Sequence, residues 1–238
     1  MTVHLASRRA GTRRAPLPFR RTALPSGLRV VSQAMPEARS VSVALIVPIG
    51  SRHEDDTRAG LSHLLEHLVF KGTRGHPEAG AVSSLIEGCG GSVNASTDRE
   101  LTVFSAKVPA EQAAVALDVV AELALRPLLR AGDLAGEKPV IVDEIRMYVD
   151  SPGDHIFTIF DELLFGRHPL GREIAGTIGS VRRATHAGVV GHWRAAYRPS
   201  GMVLAVAGAI DHAAILRAAG AWLPDGPDAV AGRAPRLT

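Results

Sequence analysis

The order of strand-like and helix-like segments is the feature that most constrains the fold of this chain. Stretches rich in Val, Ile and Leu lie at residues 28–34 and 40–49, and further strand-like stretches follow at residues 92–96, 100–108 and 202–208. The intervals between these groups carry apolar residues at helical spacing or helix-favouring composition. This order predicts an α+β fold in which helices pack on one face of a largely antiparallel sheet.

Seven helices are predicted, at residues 59–71, 77–87, 110–125, 131–148, 154–165, 185–197 and 211–222. Gly72 is expected to end the first helix, and Pro77 is placed near the first turn of the second. Because proline inside a helix removes a backbone hydrogen bond, Pro139 is expected to break or kink the fourth. Asp211 is expected to be the N-cap of the last helix.

The chain length of 238 residues favours one domain. We predict a basic, disordered head at residues 1–21, a single folded unit at residues 22–224, and a tail or linker at residues 225–238. The head is rich in arginine and lacks the apolar segment of a secretory signal. Its glycine and prolines would interrupt the amphipathic helix of a mitochondrial transit peptide.

Composition excludes several classes of function. The formal net charge of +3 comes from the N-terminal region, since the first 36 residues hold seven of the 27 basic groups and none of the 24 acidic ones. The remainder is therefore mildly acidic, which argues against nucleic-acid binding. No apolar run approaches the ~18 residues of a membrane span. The single cysteine, Cys89, excludes an intramolecular disulfide. It fits a reducing compartment, and with the excess of arginine over lysine it leads us to expect a bacterial cytoplasmic protein.

The chemistry of the sequence is concentrated in His63-Leu64-Leu65-Glu66-His67. Residues four apart share a helix face, so His63 and His67 can bind one cation together. Glu66 leans over the same face. Two neutral imidazoles with a carboxylate base form the inverted zincin motif H-x-x-E-H. Two surface histidines on an ordinary helix would also match it, so the motif needs support from elsewhere in the chain.

That support lies about 76 residues further on, in a predicted helix that carries two glutamates. A catalytic zinc takes three protein ligands and keeps one position open for water. Glu144 is a suitable third ligand. Glu137 lies two helical turns earlier, on the same stripe of the helix. Apolar neighbours indicate that part of this helix is buried, and a buried carboxylate needs a partner or a metal.

The sequence around these residues resembles the pitrilysin/insulinase peptidases, the relatives of insulin-degrading enzyme and of the mitochondrial processing peptidase. The resemblance rests on six ordered blocks covering most of residues 22–222: residues 60–73 around the motif, 91–100, 137–152, 168–177, 197–199 and 202–208.

The resemblance implies a role for each matching residue. His63, His67 and Glu144 correspond to the ligands of one Zn²⁺ per chain, and Glu66 to the general base that activates water. Glu137 matches an acid that supports the site, which we group with Glu66 as catalytic. Asn94, Ala95 and Ser96 match an exposed edge strand, to which an extended peptide substrate could add as a further strand.

The chain departs from the family pattern in covering a single unit. Typical members have two homologous halves, and the second half supplies an arginine and a tyrosine that hold the substrate. We therefore expect the catalytic subunit of a split metalloendopeptidase, completed as a heterodimer by a homologous partner, with leader-peptide removal as one possible task. Two alternatives stay open: a catalytically silent structural subunit, and a zinc-bearing module that binds peptides without cleaving them.

Overall fold

The structure of the protein is a computed structural model that describes residues 19–222. The predicted head and tail lie almost entirely outside the described residues. Six strands form the sheet, namely β1 Arg20–Ala23, β2 Arg29–Ala34, β3 Ser40–Val47, β4 Ser92–Thr97, β5 Thr102–Pro109 and β6 Val203–Gly208. β1 includes Arg20 and Arg21, so the first strand begins inside the segment predicted to be the disordered head.

The six strands form one sheet in the order β1-β2-β6-β3-β5-β4. Every neighbouring pair is antiparallel except β2 and β6, which run parallel. The predicted α+β class with a largely antiparallel sheet is therefore confirmed. β4 pairs only with β5 and forms one edge of the sheet.

Eight α-helices accompany the sheet within residues 19–222, namely α1 Leu61–Val69, α2 Ala81–Gly88, α3 Ala113–Leu125, α4 Ala131–Asp150, α5 Pro152–Phe165, α6 Ile178–Arg183, α7 His186–Ala196 and α8 His212–Ala221. Seven of them correspond to predicted helices, and α6 is additional. The predicted N-cap of α8 is confirmed, because the side chain of Asp211 accepts a hydrogen bond from the backbone N–H of Ala213.

The structure corrects the predicted start of the second helix at Pro77 and the predicted break of the fourth at Pro139. α2 begins at Ala81, because Gly80 adopts a left-handed conformation with φ of 79° and separates Pro77 from the helix. α4 is not broken at Pro139 and continues from residue 131 to residue 150. Proline has no N–H, so Pro139 leaves the carbonyl of Ala135 without its helical hydrogen bond. Both residues lie on the exposed side of α4, where water can donate to this carbonyl instead.

The core lies between one face of the sheet and the helices. Alternating strand residues such as Val43, Leu45, Phe104 and Leu204 are buried beneath α3 and α8. The opposite face carries smaller and more polar side chains, including Ser42 and Lys107, and holds a shallow hollow of ≈ 500 Å³. The predicted packing of helices on one face of the sheet is thus confirmed. The candidate site lies where α1 meets the edge strand β4.

Within residues 19–222, none of the helices combines the length and the apolar character that crossing a membrane would require.

Candidate metal centre

Helix α1 carries the H-x-x-E-H motif and is held firmly in the core. Six of its nine residues are buried, among them Leu64, Leu65 and Leu68, which pack on the side opposite the cleft. Their spacing leaves His63, Glu66 and His67 on the remaining face. The two imidazole rings lie with their centroids 4.7 Å apart. The apolar residues of the motif therefore fix the direction in which its polar residues point.

Helix α4 packs against α1 and brings Glu144 to the two histidines. Glu144 Oε2 lies 3.8 Å from Nε2 of His63 and 3.6 Å from Nε2 of His67. The three potential ligand atoms all lie within 4.8 Å of one another. The structure thus brings Glu144 to two histidines that lie 77 and 81 positions earlier in the sequence.

This grouping fits a zinc ion by its chemistry and by its spacing. Two imidazoles and one carboxylate are typical of a catalytic zinc site, and such ligand atoms lie about 3.4 Å apart around a tetrahedral ion. Burial, with a contribution from His67, lowers the pKa of His63 to about 4. His63 is therefore neutral near pH 7, which is the protonation state that a metal ligand needs.

Glu137 lies behind His67 and fixes its orientation. Glu137 Oε2 accepts a hydrogen bond from Nδ1 of His67 at 3.1 Å, and Lys71 Nζ lies 2.5 Å from Glu137 Oε1. Burial alone would raise the pKa of Glu137, but the hydrogen bonds from Lys71 and His67 outweigh it and lower the pKa. A charged Glu137 keeps the proton of His67 on Nδ1. The Nε2 atom of His67, on the side of Glu144, therefore has a free lone pair to bind a metal.

Glu66 lies between two clefts on the open side of α1. The larger cleft, of ≈ 600 Å³, is also lined by His63, Glu144 and residues of α5. The smaller, of ≈ 420 Å³, is lined by His67 and Glu137 as well. Burial raises the pKa of Glu66, Thr97 and His67 oppose the rise, and the nearby charge of Glu144 adds to it. A carboxylate with a raised pKa is suited to accept a proton during a reaction.

The predicted peptide-binding residues lie on β4, beside this carboxylate. Asn94 and Ser96 are exposed, whereas Ala95 is buried and lines both clefts. Because β4 is an edge strand, its outer backbone groups face away from the sheet. The location is the one predicted, and the substrate-binding role of these three residues stays a prediction.

The start of α1 is tied to its surroundings by residues that sequence reasoning missed. Glu54 accepts hydrogen bonds from the backbone N–H groups of Gly60 and Ser62 at 2.7 and 2.6 Å. The hydroxyl of Ser62 lies 3.0 Å from Nε2 of His192 on α7. Neither partner is close enough in sequence to give a local signal. Lys71, by contrast, lies four residues after His67 on α1, and that spacing could have identified it.

An α+β unit with H-x-x-E-H on one helix and a third carboxylate on another has the architecture of the inverted zinc peptidases. A sequence profile described as "Insulinase (Peptidase family M16)" matches residues 29–178. The chain therefore belongs to the insulinase family of peptidases, which also includes pitrilysin, and the resemblance noted from the sequence is confirmed.

Individual relatives agree with this assignment. The chain is 38% identical over 198 residues to an uncharacterized zinc protease of Streptomyces coelicolor, covering 83% of this chain and 43% of the relative. It is 34% identical over 201 residues to the beta subunit of the mitochondrial-processing peptidase of Saccharomyces cerevisiae, covering 82% and 42%. The chain thus spans less than half the length of either relative.

The crystal structure of pitrilysin shares the fold. It superposes with a TM-score of 0.82 at 21% identity, over 95% of this chain and 24% of that chain.

Proposed function

We propose that this chain provides the zinc-binding and proton-transferring part of a metalloendopeptidase that cleaves peptides or unfolded segments. His63, His67 and Glu144 hold one Zn²⁺, and Glu66 is the general base. One observation carries the proposal: the three ligand atoms lie within 4.8 Å of one another, and Glu66 lines both clefts that these residues line, beside the edge strand β4. The names of the relatives, which include zinc proteases, support the same activity.

Each residue has a physical task in this proposal. A bound zinc supplies Lewis acidity and lowers the pKa of a coordinated water to ~7. Glu66 would accept a proton from the attacking water as the water oxygen bonds to the peptide carbonyl carbon, and would deliver that proton to the amine nitrogen as the C–N bond breaks. Glu137 keeps His67 in the ligating tautomer through Nδ1. The edge of β4 aligns an extended peptide by backbone hydrogen bonds, so recognition depends little on side chains.

We further propose that a second homologous unit completes the site, as a heterodimeric partner. The relatives are more than twice as long as the part that matches. Helix α5, which lines the larger cleft, turns Ile156, Phe160 and Leu163 to solvent, an apolar face that a second unit could cover. Donors from that unit would stabilise the oxyanion, which is worth ~10²–10³ in rate. Leader peptides of a bacterial cytoplasm are a suitable substrate class.

Metal analysis tests the ligand set. The wild-type chain is expected to bind about one zinc per molecule, and His67→Ala to lose it. His76→Ala serves as the matched control, because the His76 side chain lies in the loop after α1 and outside the ligand group. Equal zinc content in all three proteins would refute the assignment of His67.

Cleavage of an unstructured peptide tests the second unit. The assay compares the chain alone at high dilution with the chain after addition of a homologous unit that lacks the zinc helix. We expect turnover to rise by ~10²-fold or more on addition. Full turnover without it would show that one unit suffices. Peptide binding without cleavage in either case would favour the binding-module alternative.

A further inference from the structure

The first turn of α1 begins at a residue that cannot cap it. Gly60 is the N-cap, with φ of 88° and no side chain to accept a hydrogen bond from the helix. A Cβ atom at Gly60 would lie 2.5 Å from the carbonyl oxygen of Ala175. Ser, Thr, Asp and Asn, the usual capping residues, are therefore excluded at this position by the segment that crosses it. The buried N–H groups of the first turn have no partner within the helix and need an acceptor from elsewhere.

Glu54 supplies that acceptor from six residues upstream. Its Oε2 accepts the hydrogen bond of the Gly60 N–H at 2.7 Å, and its Oε1 that of the Ser62 N–H at 2.6 Å. The carbonyl of Arg58 accepts from Leu61 at 3.1 Å. Glu54 is only 7% exposed, so water cannot readily replace these hydrogen bonds. One carboxylate thus satisfies two of the first N–H groups of α1.

The residue that follows this anchored pair is His63. The two histidines of α1 are held differently: Glu137 fixes the ring of His67 by a hydrogen bond, whereas Nδ1 of His63 is buried with no hydrogen-bond partner among residues 19–222. The orientation of the His63 ring therefore depends on the backbone of the first turn and on packing. A first turn is also the part of a helix that most readily frays.

We propose that Glu54 is a positioning residue for the metal centre. By anchoring Gly60 and Ser62, it holds the first turn of α1 so that Nε2 of His63 faces Glu144. This inference rests on the proposed zinc site but concerns a residue that does not touch the metal. The close approach of Ala175 requires glycine at position 60, which cannot cap α1 with a side chain. The hydrogen bonds from Glu54 explain how α1 can nevertheless hold the metal ligand His63 three residues later.

Zinc affinity of Glu54→Gln tests the proposal directly. The amide keeps the size of the side chain but turns an NH₂ group toward one of the two backbone N–H groups. We expect the dissociation constant for Zn²⁺, measured against a competing chelator, to rise about 10- to 100-fold, the usual effect of altering a group that orients a ligand. The visible spectrum of the Co²⁺-substituted protein should change as well, because the His63 nitrogen moves.

Glu122→Gln is the matched control. Glu122 is equally a buried glutamate that accepts a backbone hydrogen bond, from Gly75 at 2.7 Å, but it lies on α3 and supports the loop after α1. It should lose stability without losing zinc affinity. If Glu54→Gln binds zinc as tightly as wild type, or if Glu122→Gln weakens binding equally, the proposal is wrong. Glu54→Asp, which keeps the charge but shortens the reach, provides a second variant should Glu54→Gln fail to fold.

Amide hydrogen exchange of the metal-free proteins separates this inference from the proposed function. The Gly60 and Ser62 amides should exchange at least several-fold faster in Glu54→Gln and at the wild-type rate in Glu122→Gln. A wild-type chain that binds no zinc would refute the proposed function, yet the exchange rates would still decide whether Glu54 anchors α1. Unchanged rates at both amides would overturn the inference.

Discussion

Helices α1 and α5 both line the larger cleft, yet they are buried to very different extents. α1 buries six of its nine residues, and its polar face points into the cleft. α5 buries none of its 14 residues. Asp154, Thr158 and Asp161 of α5 line the cleft together with Phe157. Most of its other large apolar side chains are exposed, with Leu163 82% exposed. An amphipathic surface helix normally has the reverse arrangement.

This difference indicates which half of the site the chain stabilises by itself. The wall that carries the histidines and Glu66 is anchored by the core, by Glu54 and by His192. The wall formed by α5 is held by the ion pair of Asp161 with Arg99, and none of its residues is buried. The contrast is consistent with the proposal that a second unit packs on α5. Each of the following experiments tests one side of the comparison.

The largest effect is expected at the α1 wall. Glu66→Gln removes the proton acceptor while keeping the shape of the side chain, so peptide cleavage should fall by ~10²–10⁴. Zinc content should stay at the wild-type level, because Glu66 is not in the ligand group. Steady-state kinetics and metal analysis on the same preparation check both. Loss of zinc in this variant would make Glu66 a ligand rather than a base.

Truncation of one leucine on each helix measures the contrast in stability. Leu65→Ala on α1 should cost ~2–5 kcal/mol, because Leu65 is fully buried and leaves a cavity. Leu163→Ala on α5 should cost under ~0.5 kcal/mol in the chain alone. Urea unfolding monitored by circular dichroism gives both values. Similar losses would show that α5 is already packed, and would remove the argument for an uncovered face.

The pH dependence of stability should report on the anchoring of α1 to α7. Burial, followed by the positive charges of Arg58 and His53, lowers the pKa of His192 to about 4, so the unfolded chain binds a proton more readily than the folded one. The contribution of neutral His192 to the free energy of unfolding is therefore fully present above pH ~6.5. It is lost as the pH falls toward 4, which lowers the free energy of unfolding by up to about 3 kcal/mol. In metal-free protein, His192→Gln should reduce this loss. An identical acid profile in the variant would contradict the prediction.

The smallest effect is expected at the ion pair that ties α5 to the sheet. Arg99, in the turn between β4 and β5, pairs with Asp161, and both side chains are partly buried. Asp161→Asn should lower the free energy of local unfolding of α5 by ~1 kcal/mol or less, since a partly exposed ion pair contributes little to stability. Hydrogen exchange should accelerate along α5 and not along α1. Acceleration in both helices would mean that the two walls are one cooperative unit.

The candidate site was predictable where its signal is local. His63 lies three residues before Glu66 and four before His67 on one helix. Glu144 and Glu137 stood out as two glutamates on one stripe of another predicted helix, and the family resemblance then implied their roles. Glu54 was not predictable, because its role depends on the crossing of two distant segments that forces a glycine at position 60.

The fold shows the same division between local and non-local signals. Strands with apolar alternation were found, but β1 was missed, since its exposed arginines give no such pattern. Helix α6 was missed because six residues are too few to show periodicity. The capping of its N-terminus by Thr177 and Ser180 is a local signal that could have revealed it.

The position of β6 has a consequence for how the chain assembles. β2 and β3 follow each other in sequence, yet β6 lies between them, so residues 29–34 and 40–47 cannot join one sheet until residues 203–208 arrive. The ribosome therefore delivers the central strand last, and closing the sheet requires contacts separated by more than 150 positions, which slows folding. The match to the family profile ends at residue 178, before this strand. An expression fragment cut at that boundary would keep every candidate zinc ligand and lack the middle of its sheet.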